Sequence, residues 1–139
     1  MSGKTNIHDY AIAQMSRLLA KLAAQVQLAA ETSGPDEIHD LRVSIRRFSQ
    51  GLKLFSDFFP KAEVKKIRGT LKSIMELTSA IRDRDIAIEF LTEHKHAPHR
   101  PRLEKERGAY QRQFIGVVRR WNTQGFSAKW RTGLALGNV

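Results

Sequence analysis

No cysteine occurs in the 139 residues of this chain. That excludes a disulfide scaffold, a thiol nucleophile and any cysteine-ligated metal, and it fits a reducing compartment, the cytoplasm. No stretch approaches the ~20 apolar residues of a membrane span. No charged amino-terminal segment leads into an apolar run and a small-residue cleavage site, so an unexported protein is expected. Phosphate-binding glycine loops, metalloprotease motifs and nucleophile elbows are missing as well. Polar and apolar residues nowhere alternate far enough for a strand, and there is no internal repeat or low-complexity tract. Acids are scarce: 14 Asp and Glu stand against 24 Lys and Arg, a formal charge of +10. Such a surplus gives the folded surface a positive potential and points to a polyanion, whether nucleic acid, an anionic membrane surface or a phosphate polymer.

What the chain does have is helical periodicity, over a length that suits one domain with a real core. From His8 to Ala30, Ala11, Met15, Leu18, Leu22, Val26 and Ala29 recur at intervals of three and four, which predicts an amphipathic helix. Gly34 should break it, and Pro35 can open a second helix with Asp36 and Glu37 in its positive first turn. In that second helix Leu41, Ile45, Phe48, Leu52, Phe55 and Phe59 repeat, and Pro60 forbids continuation, so an end at Phe59 is expected. A third helix starts near Ala62 on the series Val64, Ile67, Leu71, Ile74 and Ile81; the pattern does not decide whether IRDRDIAIEFL continues it. HKHAPHRPR, residues 94–102, holds two prolines and no period, so it reads as a connection. A fourth helix carries Leu103, Tyr110, Phe114, Val117 and Trp121. NTQGFSAKWRTGLALGNV, residues 122–139, is glycine-punctuated and is expected as a short helix or a partly ordered tail. The whole predicts an all-α helical bundle of long antiparallel helices in a single domain, residues 1–139.

The second helix is two-sided. At ~100° per residue, with His39 as zero, Arg42, Arg46 and Lys53 fall within ~60° of it, whereas the apolar series lies between about 160° and 240°. Arg47 lies off this ridge, near 80° on the same wheel. Charged outer faces are common on helices, but ordinary ones mix signs at i and i+4. Arg42 and Arg46 are instead a like pair, which repels by a few tenths of a kcal/mol. An anion bridging the cations explains such a face better than solubility does. Lys65, Arg68 and Lys72 repeat the arrangement on the third helix, and two basic ridges on consecutive antiparallel helices could form a groove for a polyanion, with strongly salt-dependent affinity. Arginine forks suit phosphate oxygens and lysine acts as a point charge. His39 can hydrogen-bond phosphate as a neutral imidazole and add charge in acid.

Two motifs carry a resemblance. HDLRVSIRRFSQGLKLF holds His39, Arg42, Val43, Arg46 and Arg47, and about thirty residues later LTSAIRDRDIAIEFL holds Arg82, Asp83 and Asp85. In these the chain resembles the amino-terminal half of a CHAD domain, the conserved-histidine α-helical domain, clearly over residues 10–93 and loosely beyond. The resemblance implies two pseudo-symmetric four-helix bundles around a basic cavity and binding of inorganic polyphosphate, with targeting to polyphosphate granules. It implies that His39, Arg42, Arg46, Arg47 and Lys53 line the cavity, with Lys72 and Arg82 as further contacts; Lys65 and Arg68 are additional basic candidates. Ser49 stands where the family usually has a basic residue and Ser79 where it has a glycine. The chain ends before a second bundle, so it reads as half a domain, for which a homodimer would rebuild the two-bundle architecture.

The remaining candidates read as structural. Arg82-Asp83-Arg84-Asp85 suggests ion pairing more than paired catalytic acids, because adjacent residues on a helix point in different directions. His94, His96 and His99 lie in a proline-bounded loop without a carboxylate motif, a poor metal site. Trp121 and Trp130 suit core or dimer contacts. No cofactor, metal or catalytic residue is implied. The expected function is a non-enzymatic polyphosphate-binding module; a nucleic-acid-binding protein and an accessory module of a phosphohydrolase are the alternatives.

Overall fold

The computed structural model describes residues 6–94 and 97–137, and all regular structure among them is helical. Helix α1 spans Ile7–Glu31, α2 Pro35–Leu54, α3 Lys61–Glu93, α4 Arg100–Thr123 and α5 Phe126–Gly133. Asn6 caps α1, its Oδ1 accepting from the Asp9 amide at 2.8 Å. Pro35 takes the first turn of α2, where its missing N–H costs nothing, and Asp36 and Glu37 lie at the positive end of the helix.

Helix α2 stops at Leu54, five residues short of the expected end. Phe59 precedes Pro60 and is therefore held extended, with φ −127° and ψ 155°. The chain absorbs the change in a single 3₁₀ turn at Ser56–Phe58, which keeps Phe55 and Phe59 buried. Helix α3 runs unbroken through IRDRDIAIEFL, 33 residues and roughly 50 Å at ~1.5 Å per residue. The expected connection 94–102 is shorter than its prolines suggested: α4 begins at Arg100, with Pro101 in the first turn.

Helices α1 and α2, α2 and α3, and α3 and α4 pack as neighbours, and α4 returns to α1, closing a four-helix ring. The core follows the predicted stripes with one-residue shifts in α1 and α4, and it leaves Leu103 and Tyr110 of the predicted α4 stripe only half-buried, on the part of α4 that runs past α2. Leu19 rather than Leu18, and Val118 rather than Val117, are fully buried; Leu18 and Val117 are half-buried at the edges. Helices α1 and α2 approach closely at Gly51, where a Cβ would sit 2.6 Å from Met15 Sδ. Within the expected tail, Phe126–Gly133 form α5, which closes one end of the bundle. Its Trp130 stacks on Phe48 at 6.0 Å and meets Trp121 and Phe126 edge-on at 5.6 and 5.0 Å. Both tryptophans thus belong to an aromatic cluster within the chain.

At the other end α3 and α4 run past α2. The last buried residue of α3 is Ile81 and the first of α4 is Phe114. The hairpin between them is tied down by charge: Arg107 on α4 pairs with Asp85 on α3 and donates to the Ser33 carbonyl of the α1–α2 connection at 2.9 Å. Arg84 pairs with Glu106 at 3.3 Å and lies over the Tyr110 ring at 4.9 Å.

Candidate functional site: a cationic trough between α2 and α3

The outer faces of α2 and α3 enclose an open trough. Its main section, about 440 Å³, is walled by Arg46, Ser49 and Gln50 on α2 and by Arg68 and Lys72 on α3, above a floor of Ile45, Leu71 and Met75. Towards the start of α3 a second section, about 290 Å³, is lined by Lys61, Lys65 and Arg68 with Ser56 and Val64. Arg68 borders both sections, which adjoin as a track along α3. The antiparallel packing of the two helices brings Arg46 of the α2 ridge opposite Arg68 and Lys72 of α3.

Beyond the main section the track meets a third cationic group. Arg42 is half-buried, and its Nη1 donates to the Met75 carbonyl at 2.8 Å and the Thr78 hydroxyl at 2.7 Å. Thr78, itself fully buried, donates a hydrogen bond from its hydroxyl to the Ile74 carbonyl at 2.9 Å. Burial above all, and then the proximity of Arg46 and Arg82, hold the Arg42 guanidinium below its ordinary pKa, with Asp83 opposing them. Three arginines therefore converge here, their repulsion only partly offset. From Lys61 to Arg82 the cations extend along α3 for about 30 Å at ~1.5 Å per residue.

Not every candidate joins them. Arg42, Arg46, Lys65, Arg68, Lys72 and Arg82 lie on or beside the track. His39 is exposed one turn before Arg42 and Lys53 is exposed towards the end of α2; neither lines the trough. Arg47, off the ridge by angle, lies on the opposite flank of α2, in a shallow depression against α1 with Lys21, Gln25 and Asp40. It is therefore separated from Arg46 by the body of the helix. Among the described residues none of these nine basic candidates forms an ion pair; the acids that do pair serve Arg84, Arg100, Arg102 and Arg107. Asp85 is consequently committed to Arg107, while Asp83 is the acid near Arg42.

Lys61 and Gln50 were not singled out by the sequence reasoning, and Ser49 entered it only as the position where the resemblance places a basic residue. Lys61 was within reach, one helical turn before Lys65, whereas Gln50 carries no signal of its own. In the loop, His94 stacks on Phe90 with ring centroids 4.1 Å apart and sets its Nδ1 2.9 Å from the Phe90 carbonyl. His96 lies outside the described residues. No group of three or more potential metal-ligating side chains occurs among the described residues. None of the described helices is long and apolar enough to cross a membrane.

A closed helical ring bearing a cationic trough, whose basic residues form no ion pair among the described residues, defines an all-α bundle with a basic flank. Its motifs are those of a known family: the model of the CHAD domain matches residues 13–134. The chain belongs to the CHAD domain family. The match extends well past the amino-terminal half, through α4 and α5, so these helices share in the likeness. No curated protein and no solved structure matches the chain.

Proposed function

We propose that this chain is a non-enzymatic module that binds inorganic polyphosphate in the α2–α3 trough. The observation that carries the reading is the run of cations from Lys61 to Arg82 without an acidic partner among the described residues. The family, linked in general to polyphosphate, favours the same ligand. Each phosphate that settles between Arg46, Arg68 and Lys72 relieves repulsion that the fold otherwise carries, and it releases counterions from the polymer, an entropic gain that falls as salt rises. Arg42, fixed by its bonds to α3, is preorganised and loses little rotamer freedom on binding.

A reducing, cytoplasmic setting and recruitment to polyphosphate granules belong to this reading. So does a homodimer that completes the cavity. Ile86 and Phe90, 53% and 55% exposed on the overhanging part of α3, offer apolar contact for a second copy. Sedimentation of the chain with polyphosphate tests that part: a monomer at high concentration removes the dimer and leaves the trough.

Competition between long-chain polyphosphate and duplex DNA at matched physiological salt tests the ligand. Polyphosphate should win, and Arg46→Ala with Lys72→Ala should abolish most of its binding. Preference for DNA, or unchanged polyphosphate affinity in the double variant, overturns the proposal. Phosphate release on incubation with polyphosphate would instead place the chain among enzymes.

A further inference from the structure

Helix α4 carries a second cationic face that the trough does not use. Lys105, Arg112 and Arg119 stand seven residues apart, within about 40° of one another at ~100° per residue, with successive cations ~10.5 Å apart along the axis. Ala109 and Gly116 lie between them on the same line, and all five are exposed. A Cβ on Gly116 would meet nothing within 4 Å, so the stripe is open and low between its cations.

The charge on this face is as unpaired as that of the trough. None of the three forms an ion pair among the described residues, and Glu104 and Glu106 serve Arg84, Arg100 and Arg102. From Arg107 to Val139 the sequence contains no acid at all, and α1, packed alongside, has none between Asp9 and Glu31. The depression shared with α3 is lined by Thr70, Ser73, Leu77, Gln113 and Val117, among others, again without an acid. An ordinary solvated helix face of about four turns would hold at least one compensating carboxylate.

Position adds the second half of the argument. In the ring α4 packs on α1 and α3, which puts it diagonally across from α2. The stripe therefore looks away from the trough, with the width of the bundle between them, on the order of 20 Å for two helix diameters. A short oligophosphate cannot touch both faces, whereas two segments of long polymer can.

We propose that the outer face of α4 is a second polyanion contact, through which one chain holds two segments of phosphate polymer and gathers the polymer instead of only coating it. This rests on the reading of the trough as the primary polyphosphate site. The trough, with its walls and fixed Arg42, binds either short or long chains; the flat α4 stripe gains affinity only when the polymer is already held nearby at high effective concentration.

The test compares two triple variants of the full chain, each three positive charges below wild type. K105Q/R112Q/R119Q strips the α4 face. R17Q/K21Q/K129Q removes exposed cations elsewhere and controls for net charge. Tripolyphosphate affinity by calorimetry should be the same in both, because distant sites add independently. Light scattering from mixtures with long-chain polyphosphate should fall by at least roughly tenfold in the α4 variant, less than the full avidity a second contact can add, and persist in the control. Scattering retained in the α4 variant, or lost equally in both, overturns the inference. Failure of the underlying reading is separate: Arg46→Ala with Lys72→Ala would then leave tripolyphosphate affinity unchanged.

Discussion

Replacing Arg46 by glutamine removes a guanidinium from the trough wall without breaking a hydrogen bond to protein, whereas the same change at Arg42 removes two such bonds. The pair of variants therefore separates what a cation does for the fold from what it does for the ligand. Hydrogen bonds from a charged donor contribute about 1.5–3 kcal/mol each. At Arg42 they share one nitrogen on a half-buried side chain, and burial together with Arg46 and Arg82 disfavours the charge they serve. A net loss of about 1–2 kcal/mol is expected in Arg42→Gln, or ~3–8 °C in Tm for a domain of this size. Arg46→Gln, on an exposed face, should stay within about 0.5 kcal/mol. For a base held low in the folded state, the charged form costs stability at every pH below that lowered value. The cost at Arg42 is therefore present across the neutral range and is relieved by a bound anion, not by pH. In polyphosphate binding the two variants should behave alike, each lowering the slope of log affinity against log salt by about 0.7, as for one contact with a single-stranded polyanion. Thermal melts followed by far-UV circular dichroism, with salt titrations of binding, measure both. An Arg42→Gln protein that melts with wild type refutes the anchoring role; unchanged salt slopes in both variants refute the site.

Asp85→Asn should be more damaging to the fold and neutral for binding. The Asp85 and Arg107 side chains are only 12% and 16% exposed, and losing one partner of such a pair costs about 2–4 kcal/mol, visible as a lower Tm with an unaltered polyphosphate isotherm. Gly51→Ala should destabilise by about 1–3 kcal/mol through overpacking against Met15, measured by denaturant unfolding, and the double variant with Met15→Ala should lose less than the sum of the two single losses. Polyphosphate at a hundredfold excess over its Kd should stabilise the wild type by about 2.7 kcal/mol, a Tm rise of roughly 5–10 °C.

The ridge of α2 and its partner on α3 were legible in the sequence because like charges at i, i+3 and i+4 are a local pattern, and an antiparallel hairpin has few ways to place two of them. Most of the core was legible for the same reason; Leu18 for Leu19 and Val117 for Val118 are single-residue choices within adjacent apolar pairs, whereas Leu103 and Tyr110 continue the stripe into a part of α4 that buries no residue fully. Contacts at long range left no such trace. Nothing in IRDRDIAIEFL shows that Asp85 meets an arginine 22 residues later, or that this arginine also holds the Ser33 carbonyl. Arg47 illustrates another limit: the motif groups it with Arg46, but adjacent helical residues diverge by ~100°, and the bundle assigns them to opposite flanks of α2. The end of α2 turned on the conformation that Pro60 imposes on Phe59, a consequence of proline that reaches one residue further back than its missing N–H.

Among the described residues, α3 beyond Ile81 and α4 before Phe114 contribute nothing buried, and ion pairs do much of the work of joining them to each other and to the bundle. Such a segment opens at a small fraction of the free energy of global unfolding, so its amides should exchange first. Salt weakens the exposed pairs that hold it closed, and the same salt weakens attraction for a polyanion. Arg82 stands at the boundary, one residue past the last buried side chain of α3. Of the three arginines that converge beside the trough, two are mounted on the packed bundle and the third on the first turn of the segment expected to open first.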